Sequence, residues 1–170
     1  MILKEQKRTN MERILQTKVD HTRLLRGVFV ARMDKLAGGG VITTFDIRMK
    51  LPNREPSVSQ GALHTIDHLA KHFLSRRREW SDRILYWGPM CSCTGYNLLV
   101  EGECTSQEIV PLLVEMFDYI AEYYDEIPEA NAVACGNYTL NNLPMARWEA
   151  RKFLVEVLQN LSDQNLIYPL

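Results

Sequence analysis

Three histidines recur at four-residue intervals in the stretch GALHTIDHLAKHF, residues 61–73, and an aspartate stands beside the middle one. Residues i and i+4 of a helix lie one above the other, so His64 and His68 share a face and can hold one metal ion between them. Asp67 falls near that face, one residue before His68 and three after His64. His72 cannot join them: a rise of about 1.5 Å per residue puts it roughly 12 Å from His64, against metal–nitrogen bonds of about 2.0–2.1 Å. It reads as a surface or interface histidine. A third ligand must come from elsewhere in the chain. Cys135, in ACGNY, is the leading candidate, because Gly136 behind it permits a tight turn that aims the sulfur inward. Spacing leaves Cys91, Cys93 and Cys104 as rivals.

The pattern His-x-x-Asp-His has the geometry of the inverted-zincin motif H-x-x-E-H, with aspartate in place of glutamate. A peptidase of that kind needs the glutamate, takes a more distant glutamate as third ligand and has a much longer chain. Those differences rank the peptidase reading last.

The elements that must position these residues follow from periodicity. GVFVARMD (27–34) and VITTFDIRMK (41–50) alternate as half-buried strands do, and KLAGGG between them supplies a hairpin turn. Apolar positions 62, 63, 66, 69, 70, 73 and 74 predict a helix from about Gln60 to Arg77. RILYWG (83–88) and TGYNLLVEGE (94–103) read as strands joined by PMCSC. In TSQEIVPLLVEMFDYIAEYY (105–124), Thr105 and Glu108 form a capping box ahead of an apolar stripe. Pro111 there is expected near the first turns, where a missing N–H costs least. A last helix opens at Pro144 and runs through Leu161. Antiparallel strands with inserted helices imply an α+β fold, an antiparallel sheet with helices packed on one face.

Composition narrows the classes. At 170 residues the chain suits one domain with a real core. We expect residues 1–15 to be a flexible extension and 16–170 a single domain. A net charge of −1 provides no field that would draw the chain to nucleic acid or an anionic membrane. The local basic run SRRRE (75–79) reads as a solvated helix end. No apolar run approaches the roughly 20 residues that span a bilayer, and the first residues lack a secretory apolar segment. The Cys-x-Cys pair at 91 and 93 is awkward for a disulfide, so the four cysteines read as thiols of a cytoplasmic protein.

Six blocks then occur in order: VDHTR (19–23), TTFDIRMKLPN (43–53), ALHTIDHL (62–69), GPM and CTGY within 88–96, EIPEANAVACGN (126–137) and LPMARW (143–148). Together they resemble the S-ribosylhomocysteine lyase (LuxS) family over about residues 16–168. The resemblance implies that the single domain, 16–170, is a metal-binding catalytic one and forms a homodimer with its active site at the subunit interface. It also implies a bound Fe²⁺, for which Zn²⁺ or Co²⁺ can substitute, held by His64, His68 and Cys135. The implied reaction cleaves the thioether of S-ribosylhomocysteine, a small-molecule substrate, by carbonyl migration and β-elimination. It yields homocysteine and the dihydroxypentanedione that cyclises into autoinducer-2, a quorum-sensing signal. His21 and Arg48 take the positions of the family's substrate-binding histidine and arginine, while Gln16 replaces a family serine.

Two departures fall on the acid–base residues that the resemblance assigns. The family's glutamate is Asp67 here, one methylene shorter, and a carboxylate base must come within roughly 2.6–3.2 Å of its proton. In the family's P-M-G-C-x-T-G block, a gapless alignment places Ser92 on the cysteine, Cys91 on the glycine and Cys93 on the variable residue. A lone serine hydroxyl is a poor proton acceptor at neutral pH. Cys91 or Cys93 can replace it only if the turn is remodelled, since neighbours in an extended segment point opposite ways. Losing the glycine at 91 is expected to remove φ freedom. An active lyase with altered bases is therefore the first reading, and a catalytically inactive metal-binding homologue the second.

Overall fold

The structure, a computed structural model, describes residues 12–16 and 18–169. Its strands are β1 (Glu12–Gln16), β2 (Gly27–Lys35), β3 (Val41–Arg48), β4 (Ile84–Pro89) and β5 (Gly95–Glu101). They form one antiparallel sheet in the order β1-β2-β3-β5-β4. The helices are α1 (Gln60–Leu74), the short α2 (Arg78–Ser81), α3 (Ser106–Ala121) and α4 (Leu143–Phe153).

The α+β expectation holds, with the helices stacked on one face. Phe45 and Ile47 of β3 and Tyr96 and Leu98 of β5 point to that face. They pack on Ile66 and Leu69 of α1, Leu113 and Phe117 of α3, and Ala150 and Phe153 of α4. On the other face Phe29 stacks on Tyr168, ring centroids 4.8 Å apart, beside Leu24. The β2–β3 hairpin closes through Gly39, which takes φ +92° where a side chain would be strained. Gly95 lets β5 lie close on β3, since a Cβ there would sit 2.0 Å from the Ile47 carbonyl oxygen.

Three local expectations change. β1 begins at Glu12, inside the stretch 1–15 expected to be an extension; its backbone gains ladder hydrogen bonds from β2, with Glu12 opposite Lys35. The rest of that stretch lies outside the described residues. Pro111 occupies the sixth position of α3, where it forfeits the bond an N–H would make to the carbonyl four residues back. The capping box at Thr105 and Glu108 is present as expected and anchors that helix. The last helix stays α-helical only to Phe153 and then widens into a π-turn over Leu154–Leu158.

Candidate metal centre

Helix α1 builds the first wall. Ser59 caps it, accepting from the Ala62 amide, and its apolar stripe faces the sheet. That orientation turns His64, Asp67 and His68 to a half-buried flank. The second wall is the irregular stretch 130–142. The Asn131 side chain accepts from the amides of Val133 and Ala134, both at 3.0 Å, and its carbonyl accepts from the Cys135 amide at 2.9 Å. This turn presents Cys135 toward α1. Gly136 does not shape it, because its φ is not positive; the expectation of a glycine-dependent turn is corrected to an asparagine-built one.

Thr65 fastens the two walls together. Its hydroxyl donates to Asn141 Oδ1 at 2.9 Å and accepts from the Asn142 amide at 2.9 Å. The Asn142 amide also reaches the Gly61 carbonyl at 3.2 Å. One residue back, His64 Nδ1 donates to the Leu140 carbonyl at 2.6 Å. A carbonyl can only accept, so this bond fixes the tautomer and leaves Nε2 with its lone pair facing the cleft.

His64, His68 and Cys135 converge there, their ligand atoms all within 4.8 Å of one another. His64 Nε2 lies 3.4 Å from Cys135 Sγ. The two imidazoles meet edge to face at 4.6 Å. His68 Nε2 is buried and has no hydrogen-bond partner among the described residues. Burial, reinforced by the neighbouring His64, lowers the His68 pKa, so its neutral form is favoured. A neutral imidazole with a buried, unpartnered nitrogen beside a second imidazole and a cysteine sulfur fits a divalent transition metal. Of the cysteines considered from sequence, Cys135 alone joins the two histidines in this group. Cys104 is buried in the core, where burial pushes its thiol pKa up. His72 lies outside the cluster.

Asp67 sits between this cluster and Lys71. Its Oδ2 accepts from Lys71 Nζ at 2.7 Å, while Oδ1 is buried with no partner among the described residues. The carboxylate therefore keeps one oxygen free to take a proton beside the candidate ligands.

The other residues singled out from sequence form a second group. Arg48 is buried and grips Asp46 through Nε at 3.0 Å and Nη2 at 2.7 Å. Its Nη1 donates to Thr94 Oγ1 at 2.6 Å, and Thr94 Oγ1 lies 2.7 Å from Ser92 Oγ. No hydrogen bond among the described residues links this group to the histidines and Cys135. The Met90–Cys93 turn carries its positive φ, +56°, at Cys93 rather than at Cys91. The absent glycine at 91 thus removes no φ freedom the turn uses, correcting that expectation. Cys91 is exposed, whereas Cys93 packs half-buried against the apolar core. His21 is exposed in the turn after β1.

Sequence reasoning missed Thr65, Asn131, Leu140 and Asn141, which aim the cluster. Thr65 alone left a signal, a polar residue on the apolar stripe of α1.

The sequence profile of the S-ribosylhomocysteinase (LuxS) family matches residues 14–164. An S-ribosylhomocysteine lyase of Phocaeicola vulgatus is 52% identical over 159 residues, covering 94% of this chain and 98% of that protein. Lyases of the same name from Desulfotalea psychrophila and Clostridium beijerinckii are 47% and 46% identical, each with 94% of this chain and 99% of the relative covered. The chain belongs to the S-ribosylhomocysteinase family.

Proposed function

We propose, from that membership, that this chain is a carbon–sulfur lyase that cleaves S-ribosylhomocysteine to homocysteine and dihydroxypentanedione. The observation that carries the chemistry is the pair of buried, unpartnered atoms, His68 Nε2 and Asp67 Oδ1, beside His64 and Cys135. Family membership sets aside the peptidase reading.

The reaction opens the ribose, moves its carbonyl along the carbon chain by proton transfers, and then eliminates. In that last step a base removes the proton α to the carbonyl, the carbon–sulfur bond breaks, and the thiolate leaves to be protonated as homocysteine. When held by His64, His68 and Cys135, Fe²⁺, or Zn²⁺ or Co²⁺ in its place, supplies Lewis-acid polarisation of the substrate's oxygens. Asp67 is the proton carrier on this wall: with Oδ2 paired to Lys71, the unpartnered Oδ1 is the oxygen left to accept a proton. The Asn131 turn and the Thr65 clamp hold the cluster still while protons move. Residue 92 takes the second acid–base position and His21 serves a polar end of the substrate, while Arg48, buried and bonded to Asp46 and Thr94, acts from behind residue 92 rather than on the substrate.

A homodimer with the site at its interface completes the proposal. The stretch that carries Cys135 supports it: Val133 is 99% exposed and Tyr138 about half exposed. Such exposed apolar groups in the wall of a polar site suit a partner surface. The cysteines of the described residues are free thiols, which suits the cytoplasm. No described helix is long and apolar enough to cross a membrane. The net charge of −1 gives no pull toward nucleic acid. The dihydroxypentanedione product would cyclise to autoinducer-2, giving the chain a place in quorum sensing.

Asp67→Asn tests the base directly. It keeps the shape and removes the proton acceptor, so homocysteine release should fall about 10²- to 10⁴-fold with metal content unchanged. Undiminished release would remove Asp67 from the mechanism.

A further inference from the structure

We infer that Arg48, acting through Thr94, holds Ser92 as a hydrogen-bond donor and not as a base. The assignment follows from counting protons. A guanidinium has only donors, so in the 2.6 Å contact Arg48 Nη1 gives and Thr94 Oγ1 accepts. Thr94 is 8% exposed, and among the described residues its hydroxyl meets only Arg48 and Ser92. A buried O–H left unpaired costs stability, so the one Thr94 proton goes to its remaining neighbour, Ser92 Oγ, at 2.7 Å. The direction of the whole chain is thereby fixed from the charged end outward.

Its far end is fixed as well. Arg48 cannot turn away, because Asp46 grips it with two bonds and Asp46 itself accepts from the Tyr168 hydroxyl at 2.7 Å. With its oxygen accepting from Thr94, the exposed Ser92 has its own proton directed outward. Accepting a bond that begins at a cation strengthens that outward donor and weakens the oxygen as a base. On the proposed function, on which this inference rests for its substrate, Ser92 then donates to a substrate oxygen as charge develops there. Thr94 is the positioning residue behind it.

The same polarity should stabilise an anion at position 92, which allows a test that needs no turnover. In the Ser92→Cys protein, the new thiol should react with iodoacetamide at pH 7 as an activated thiolate. Adding Thr94→Val should slow that reaction about tenfold or more, and Thr94→Ser should restore it. The flanking Cys91 and Cys93, resolved by tandem mass spectrometry, should keep their rates and so report an intact turn. Equal rates with and without the Thr94 hydroxyl would overturn the chain.

Turnover gives the second arm. Ser92→Ala should lower kcat about 10²-fold, as expected for loss of one aimed donor. Thr94→Val should lower kcat in the parent but change nothing further in the Ser92→Ala background. Additive losses would overturn Thr94's action through Ser92. Ser92→Cys should add an ionisation to the pH profile of kcat/KM that the parent lacks; an unchanged profile would mean that residue 92 does not face the reacting atoms and would overturn its role as the donor. If no protein in the series releases homocysteine, the lyase reading fails while the alkylation rates still decide the chain.

Discussion

His64 and His68 differ in what fixes them, and the difference sets their sensitivity. His64 is oriented by a hydrogen bond from Nδ1 to the Leu140 carbonyl, whereas His68 Nε2 has only burial around it. Removing either the unpartnered nitrogen or the sulfur should leave two ligands, too few for tight binding. His68→Ala and Cys135→Ala are therefore each expected to lose stoichiometric metal, read by elemental analysis after anaerobic purification. Full occupancy in both would contradict the cluster as the metal site. At this scale the two histidines were legible in sequence because a four-residue spacing survives any helix. The aim of Cys135 was not, because it depends on Asn131 capping its own turn and not on the glycine that follows the cysteine. The occupation of Arg48 was equally hidden: Asp46 lies two residues away on the same strand face, but Thr94 comes from the turn that leads into β5, the neighbouring strand.

Between elements, the joint of α1 with the 130–142 stretch governs the cluster. Two of its hydrogen bonds meet at the Thr65 hydroxyl, so Thr65→Val removes both while nearly keeping the side chain's shape. Groups that orient metal ligands typically contribute 10- to 100-fold to affinity, and a loss of about that size is expected here. Competition with a chromophoric chelator would measure it; unchanged affinity would show that the stretch holds its place without the clamp. The three long helices and most strands could be read from apolar periodicity, since each buries one face against the others; the short α2 could not, because it buries no residue. β1 could not, because five residues carry little pattern and the strand exists by pairing with β2. The π-turn after Phe153 left no comparable signature, as it changes the backbone bonding while keeping Leu154, Val157 and Leu158 buried.

Across the whole molecule, the sheet separates two polar systems. One is the histidine and cysteine cleft on the helical side; the other is the Asp46, Arg48 and Tyr168 network on the face covered by the C-terminal segment. Burial beside the Asp46 carboxylate pushes the Tyr168 pKa far above its ordinary value. A raised folded pKa means the contribution to stability is fully present below the unfolded value, about 10, and is lost as pH rises past it. The urea midpoint should thus fall between about pH 9 and 11, and Tyr168→Phe should flatten that fall. Some slope should remain, because burial also raises Tyr96. An unaltered slope would mean the phenol is not buried against Asp46 in solution.

The claim on which the rest depends is that this cluster still drives thioether cleavage despite Asp67 and Ser92. It is tested most directly by homocysteine release from S-ribosylhomocysteine, comparing anaerobically purified, Fe²⁺-loaded protein with the same protein stripped of metal. Release that requires the metal is the expected result. No release from protein carrying one metal per chain would contradict the account.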